Sequence, residues 1–141
     1  MNINEVFHVS GLFLLALTLG GMVFFAAIMT PLVFTKLPPQ TSGPFIRQVF
    51  PVYSMAMAGL SLLAAVLFWK TNTVMFLLLG VFILFIWAWL WLTPRINRYR
   101  DAQLDGNKRA GATFNRLHKL SVGVNVLQMG IVAVVFIKMA I

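Results

Sequence analysis

Apolar residues fall into four long runs, separated by three polar interruptions. A helix that crosses a bilayer needs about 20 largely apolar residues, and each run is long enough. The pattern sets spans at about 6–34, 45–69, 74–93 and 112–140. Pro31 lies in the last turns of the first span and is expected to bend it, and Pro38-Pro39 ends it. Arg47 and Gln48 stand in the first turns of the second span, so its lipid-buried part starts near Phe50, with Pro51 at the expected kink. The third span carries no charged residue, with Pro94 at its exit. The one long polar stretch follows, 95–119, with Asp105-Gly106 as a turn signal inside it. The third helix is expected to continue to about Leu104. The fourth begins near Ala110 and re-enters lipid near Leu120, leaving a loop of about 95–111. No internal repeat and no low-complexity segment stands out. The fold expected is all-α: one domain, an integral-membrane antiparallel bundle of four helices.

Composition agrees. Of 141 residues, 60% are apolar and 10% charged, against roughly half and about a quarter in a soluble domain. Too few charged side chains are present to make a water-facing surface, which argues against a soluble enzyme. No cysteine is present, which removes disulfides, thiolate metal sites and thiol nucleophiles. The segment Met1-Asn2-Ile3-Asn4-Glu5 has no basic residue, and the apolar run after it is about twice a signal-peptide core. It reads as a retained membrane helix.

The formal charge of +8 would suggest nucleic acid in a soluble protein. Here the basic residues flank apolar spans, so anionic lipid headgroups are the expected partners, and no nucleic acid is. Lys36, Arg47, Arg95, Arg98, Arg100, Lys108, Arg109, Arg116 and Lys119 flank the first and third connections. Lys70 and Lys138 stand at the opposite side. By the positive-inside rule the richer side is cytoplasmic and both termini face outward. Arg95, Arg98, Arg100, Lys108 and Arg109 are the candidate headgroup contacts. Trp69, Trp87, Trp89 and Trp91 fall near span ends, where indoles anchor at the headgroup boundary.

Chemistry is scarce. His118, Ser121, Asn125 and Gln128 recur at +3, +4 and +3, which is one helical face. An amide without a partner in hydrocarbon is costly, so this face should point into the bundle. It serves either as interhelical glue or as a polar path from the cytoplasmic surface. Ser54, Ala58, Ser61 and Ala65 form a small-residue face on the second helix. Gly11, Gly20, Gly21 and Ala26 act similarly on the first. His8 and His118 are candidate haem ligands, but they belong at opposite membrane faces, about 30 Å apart, so one iron cannot take both within a protomer. Glu5 and His8 are three apart and could pair. Asp101 and Asp105 alternate with Arg98 and Lys108 in the manner of a solvated helix surface. No metal site and no hydrolytic residue set is legible.

Several segments carry a resemblance: Gly20-Gly21-Met22-Val23-Phe24-Phe25, Pro31-Leu32-Val33-Phe34, Leu37-Pro38, Phe45-Ile46-Arg47-Gln48-Val49-Phe50-Pro51-Val52-Tyr53 and Arg116-Leu117-His118-Lys119-Leu120-Ser121-Val122-Gly123-Val124-Asn125. The chain resembles the small four-span family that includes eukaryotic transmembrane protein 205, a member associated with platinum-drug resistance. That resemblance implies no assigned biochemistry. It directs attention to Pro31, Arg47, Pro51, Tyr53, His118, Ser121 and Asn125, of which Arg47, His118 and Asn125 could converge on a cytoplasm-facing polar pocket with Tyr53 and Gln128. More distantly, His8, Gly20, Gly21 and Pro31 look like the first span of CopD- and HemJ-type proteins, which implies haem.

The leading expectation is a non-enzymatic protein of the bacterial inner membrane. It would be an accessory or scaffold subunit of a larger complex, or a small-molecule-handling protein, or a homo-oligomer, with no cofactor. The rivals are a haem b or porphyrin redox protein using His8 or His118, and a small transporter with a path along Asn125 and Gln128.

Overall fold

The computed structural model describes residues 2–141. Four helices carry nearly all of them: α1, Ile3–Lys36; α2, Pro39–Leu67; α3, Asn72–Leu104; and α4, Lys108–Ala140. All four are long and apolar enough to cross a membrane, with mean hydropathy of 2.4, 1.8, 2.5 and 2.2 in their most apolar windows. No strand occurs among the described residues. Each helix packs on its neighbour in sequence, and α4 closes the ring against α1. The nine clustered basic residues lie at one end of the bundle, called here the basic end, and both termini lie at the other.

The helix ends follow local chemistry. At the start of α1 the Asn2 side chain accepts from the Glu5 amide at 2.9 Å, while the Glu5 carboxylate accepts from the Asn2 amide at 3.0 Å. This capping box satisfies two donors that a helix start leaves open. Glu5 therefore turns to Asn2 rather than to His8. α2 begins at Pro39, ahead of the apolar run, because Pro38 and Pro39 supply a helix-compatible start. Hydropathy marks where lipid begins, whereas the helix extends as far as its hydrogen bonds do. α3 runs unbroken past the apolar zone and stops where Gly106 takes a φ of +94°, a conformation that side chains disfavour. Asn107 then caps α4 by accepting from the amides of Arg109 and Ala110.

At Pro31 the backbone of α1 changes its hydrogen-bond pattern without ending the helix. Residues Phe25–Met29 form a π turn ahead of it, and Ala88–Leu92 form another ahead of Pro94 in α3. In each, a threonine precedes the proline and doubles up on one carbonyl. The backbone N–H and the hydroxyl of Thr30 both donate to Phe25, and those of Thr93 both donate to Ala88. A proline ring crowds the carbonyl four residues back and has no N–H to offer it. Widening the turn by one residue relieves the clash without ending the helix. The two Thr-Pro steps are a repeat within the odd-numbered helices that apolar patterning alone does not reveal. α2 carries Pro44 and Pro51 and stays α-helical throughout.

The core is narrow. Leu15 and Met22 of α1, Met57, Ala58, Ala64 and Ala65 of α2, Leu78, Val81 and Phe85 of α3, and Val132 and Val135 of α4 are buried. Phe13, Phe76, Ile83, Leu90 and Val134 point outward. Such a surface would aggregate in water and is solvated by acyl chains in a bilayer. Gly11 lets α1 approach Phe68 so closely that a Cβ there would lie 2.6 Å from the ring. Gly80 faces open space. Gly11→Ala should therefore cost about 1–3 kcal/mol through overpacking. Gly80→Ala should be neutral or gain up to about 1 kcal/mol. Thermal unfolding in one detergent checks this, and equal midpoints for the two variants would contradict the close approach.

Candidate functional site

The polar stripe of α4 enters the bundle one residue at a time. His118 is exposed, Ser121 and Asn125 are half-buried, and Gln128 is 1% exposed. The side chain of Gln128 donates from Nε2 to the Val81 carbonyl of α3 at 3.3 Å. One turn nearer the basic end, Tyr53 of α2 donates its hydroxyl to Asn125 Oδ1 at 2.9 Å. The two amides are thus tied to two different helices, across which they set the register of α4. Within lipid such bonds are worth about 1 kcal/mol each.

Tyr53 sits in an aromatic cluster that sequence patterning did not single out. Phe25 stacks on its ring at 4.1 Å between centroids and 13° between planes. Phe50 lies at 5.8 Å, and Phe85 meets it edge-on at 6.0 Å. The cluster joins α1, α2 and α3 at the first residue of the α1 π turn, and the Tyr53 hydroxyl adds α4. One phenol therefore touches all four helices. The Phe-Pro-x-Tyr segment was the available signal, since Phe50 and Tyr53 lie three apart on one helical face. Phe25 and Phe85 carried none.

The remaining candidates do not join this cluster. Arg47 reaches Asp101 of α3, with its Nη2 at 2.6 Å from Oδ1 and at 3.5 Å from the Asn97 carbonyl. The side chains are 33% and 57% exposed, so the pair contributes little in water and weakens with salt. It still takes Arg47 away from His118. Asp101 therefore pairs across helices rather than with Arg98 on its own. His118 lies parallel to the Phe114 ring one turn earlier at 5.8 Å. His8 is half-buried near the termini end, edge-on to Phe68 at 5.9 Å. The histidines stand at opposite ends of the bundle, and among the described residues no group of three His, Cys, Asp or Glu could hold a metal ion. Of the basic residues at the other end, Arg95 lies over the Trp91 ring at 3.7 Å, and Trp91 stacks on Trp87 at 5.2 Å. Arg100 lies over Phe114 at 5.2 Å and donates to Gln103.

Two buried hydroxyls on the small-residue faces bond back to their own helices, Thr18 to Leu14 and Ser61 to Met57. Ser54 is buried with no hydrogen-bond partner.

A family described as a domain of unknown function, DUF4149, matches residues 13–104, about two thirds of the chain. The chain belongs to that family. No curated protein and no solved structure matches it. The match takes in Arg47, Tyr53 and Asp101 but ends before Asn125.

The Tyr53–Asn125 bond is testable as a coupling. Tyr53→Phe and Asn125→Leu, singly and together, should show an interaction of about 0.5–2 kcal/mol in a double-mutant cycle of detergent unfolding. Strict additivity would mean that the two side chains do not share a bond.

Proposed function

We propose that this DUF4149 protein is a non-enzymatic accessory or scaffold subunit of the bacterial inner membrane, packed through the outer face of α4 against another membrane helix. The basic end faces the cytoplasm and both termini face outward in this reading, as the nine-to-two distribution of Lys and Arg favours. The observation that carries it is the placement of Gly123 and Gly130. Both are exposed on α4, and neither has anything within 4 Å of where a Cβ would stand; Gly20, Gly43, Gly59 and Gly80 are open too, but only Gly123 and Gly130, seven residues apart, share one face of one helix. A helical glycine costs about 0.5–1 kcal/mol relative to alanine. Facing lipid it brings no compensation, whereas against a second helix it lets backbones approach. Val122, Val126 and Leu127 are exposed beside them.

The internal polar bonds support the same reading. Asn125 and Gln128 are engaged with Tyr53 and Val81, which suits fixed packing better than a transport path. The resemblance to the family of transmembrane protein 205 adds the segment 116–125 on this same helix. It brings no reaction with it.

The chain has no cysteine, so Val126→Cys provides a unique probe of the α4 face. In native membranes treated with copper–phenanthroline as oxidant it should form a disulfide-linked dimer, or, treated with a thiol-directed bifunctional crosslinker, an adduct with a neighbour. Gly123→Leu and Gly130→Leu should abolish the adduct while leaving the unfolding midpoint of the single chain unchanged or raised. Absence of any adduct from Val126→Cys would remove the subunit reading. The rival redox reading predicts a Soret band in the purified protein that is lost on His8→Ala or His118→Ala.

A further inference from the structure

At the basic end, the protruding part of α3 and the first turns of α4 enclose a cleft of about 360 Å³. Its walls carry Arg98 and Tyr99 of α3, Asn107 of the turn, and Arg109 and Thr113 of α4. Each polar side chain brings at least one N–H or O–H donor. The Asn107 oxygen is spent on the amides of Arg109 and Ala110, which leaves its NH₂ as a donor. We propose that this cleft binds a phosphate group, with Arg98 and Arg109 as its two cationic contacts.

Most arginines of the basic end are already engaged, and of those that are not, Arg98 and Arg109 line the cleft whereas Arg116 does not. Arg95 is held over Trp91, and Arg100 over Phe114 and against Gln103. Arg47 is taken by Asp101, the one ion pair among the described residues. Arg98 and Arg109 face the cleft with no acid, ring or carbonyl engaging either guanidinium. Asp105, the acid in the neighbouring turn, does not line it. Guanidinium forks suit phosphate geometry better than a point charge does.

Its depth narrows the source of the phosphate. Arg98 lies six residues beyond Leu92, about 9 Å along a helix axis, and Arg109–Thr113 lie about 10–16 Å before Leu120. The headgroup layer of one leaflet is roughly 5–7 Å deep. The cleft therefore stands beyond that layer, open to phosphate in solution and within reach only of a headgroup phosphate that projects from the surface.

The test uses the full chain in phosphatidylcholine nanodiscs. Sodium phosphate is titrated calorimetrically against sodium chloride of equal ionic strength. In a second arm, phosphatidic acid is added to the nanodisc and its retention on the protein is measured. Saturable binding in the first arm identifies soluble phosphate as the ligand source, and retention in the second alone identifies the lipid. In either case Arg98→Gln and Arg109→Gln should each weaken binding about tenfold or more, and Arg116→Gln, on the same basic end but outside the cleft, should leave it unchanged. Both cleft variants are at the surface and should unfold at the wild-type temperature, which separates lost binding from lost structure. No binding in either arm, or an equal loss in Arg116→Gln, would overturn the proposal.

Discussion

Hydrocarbon offers no hydrogen bonds, and every other feature of this molecule answers to that constraint. A chain that crosses lipid must satisfy its own backbone polar groups, and unbroken helices do so within each segment. Six prolines in 141 residues work against it, because each removes a donor. In α1 and α3 the conflict is met by the same device. A π turn moves the crowded carbonyl away, and the threonine before the proline brings both its N–H and its hydroxyl to one acceptor. The helices bend their hydrogen bonding rather than break it.

The same scarcity of partners determines where polar side chains stand. Gln128 is fully inside and finds a backbone carbonyl, and Asn125 at half-burial finds a phenol. Towards the basic end the stripe opens to Ser121 and then to the exposed His118. Polarity, burial and partner supply therefore change together along α4. Tyr53 is the junction at which this polar edge meets the aromatic cluster. Its ring packs against Phe25, Phe50 and Phe85, while its hydroxyl takes up the one amide that those rings could not satisfy.

Outside the hydrocarbon the rules reverse. The extension of α3 and the start of α4 hold charged and polar groups in water, where pairs such as Arg47–Asp101 are weak individually. What distinguishes positions there is which cations are already engaged. Rings hold Arg95 and Arg100, an acid holds Arg47, and of the remaining arginines Arg98 and Arg109, but not Arg116, line a concave surface. The membrane part of the protein is a packed frame, and this protruding hairpin is where it can meet a polar ligand.

The four spans, the short connections, the basic end and the turn at Asp105-Gly106 were all legible in the sequence. Each follows from a local property: hydropathy over about 20 residues, a charge count, or a residue that tolerates positive φ. The α4 stripe was legible as a face for the same reason, since a 3.6-residue period is a property of one helix. Its partners were not. Arg47 and His118 looked able to share a pocket with Asn125, yet Arg47 is drawn to Asp101, and His118 stays outside. Tyr53, rather than either of them, reaches the amide. Which of several polar residues meet depends on helix rotation and register, and these are set by close approaches such as Gly11 on Phe68 and by the extra residue that each π turn of α1 and α3 takes up. Those are contacts between helices, so only the tertiary structure decided them.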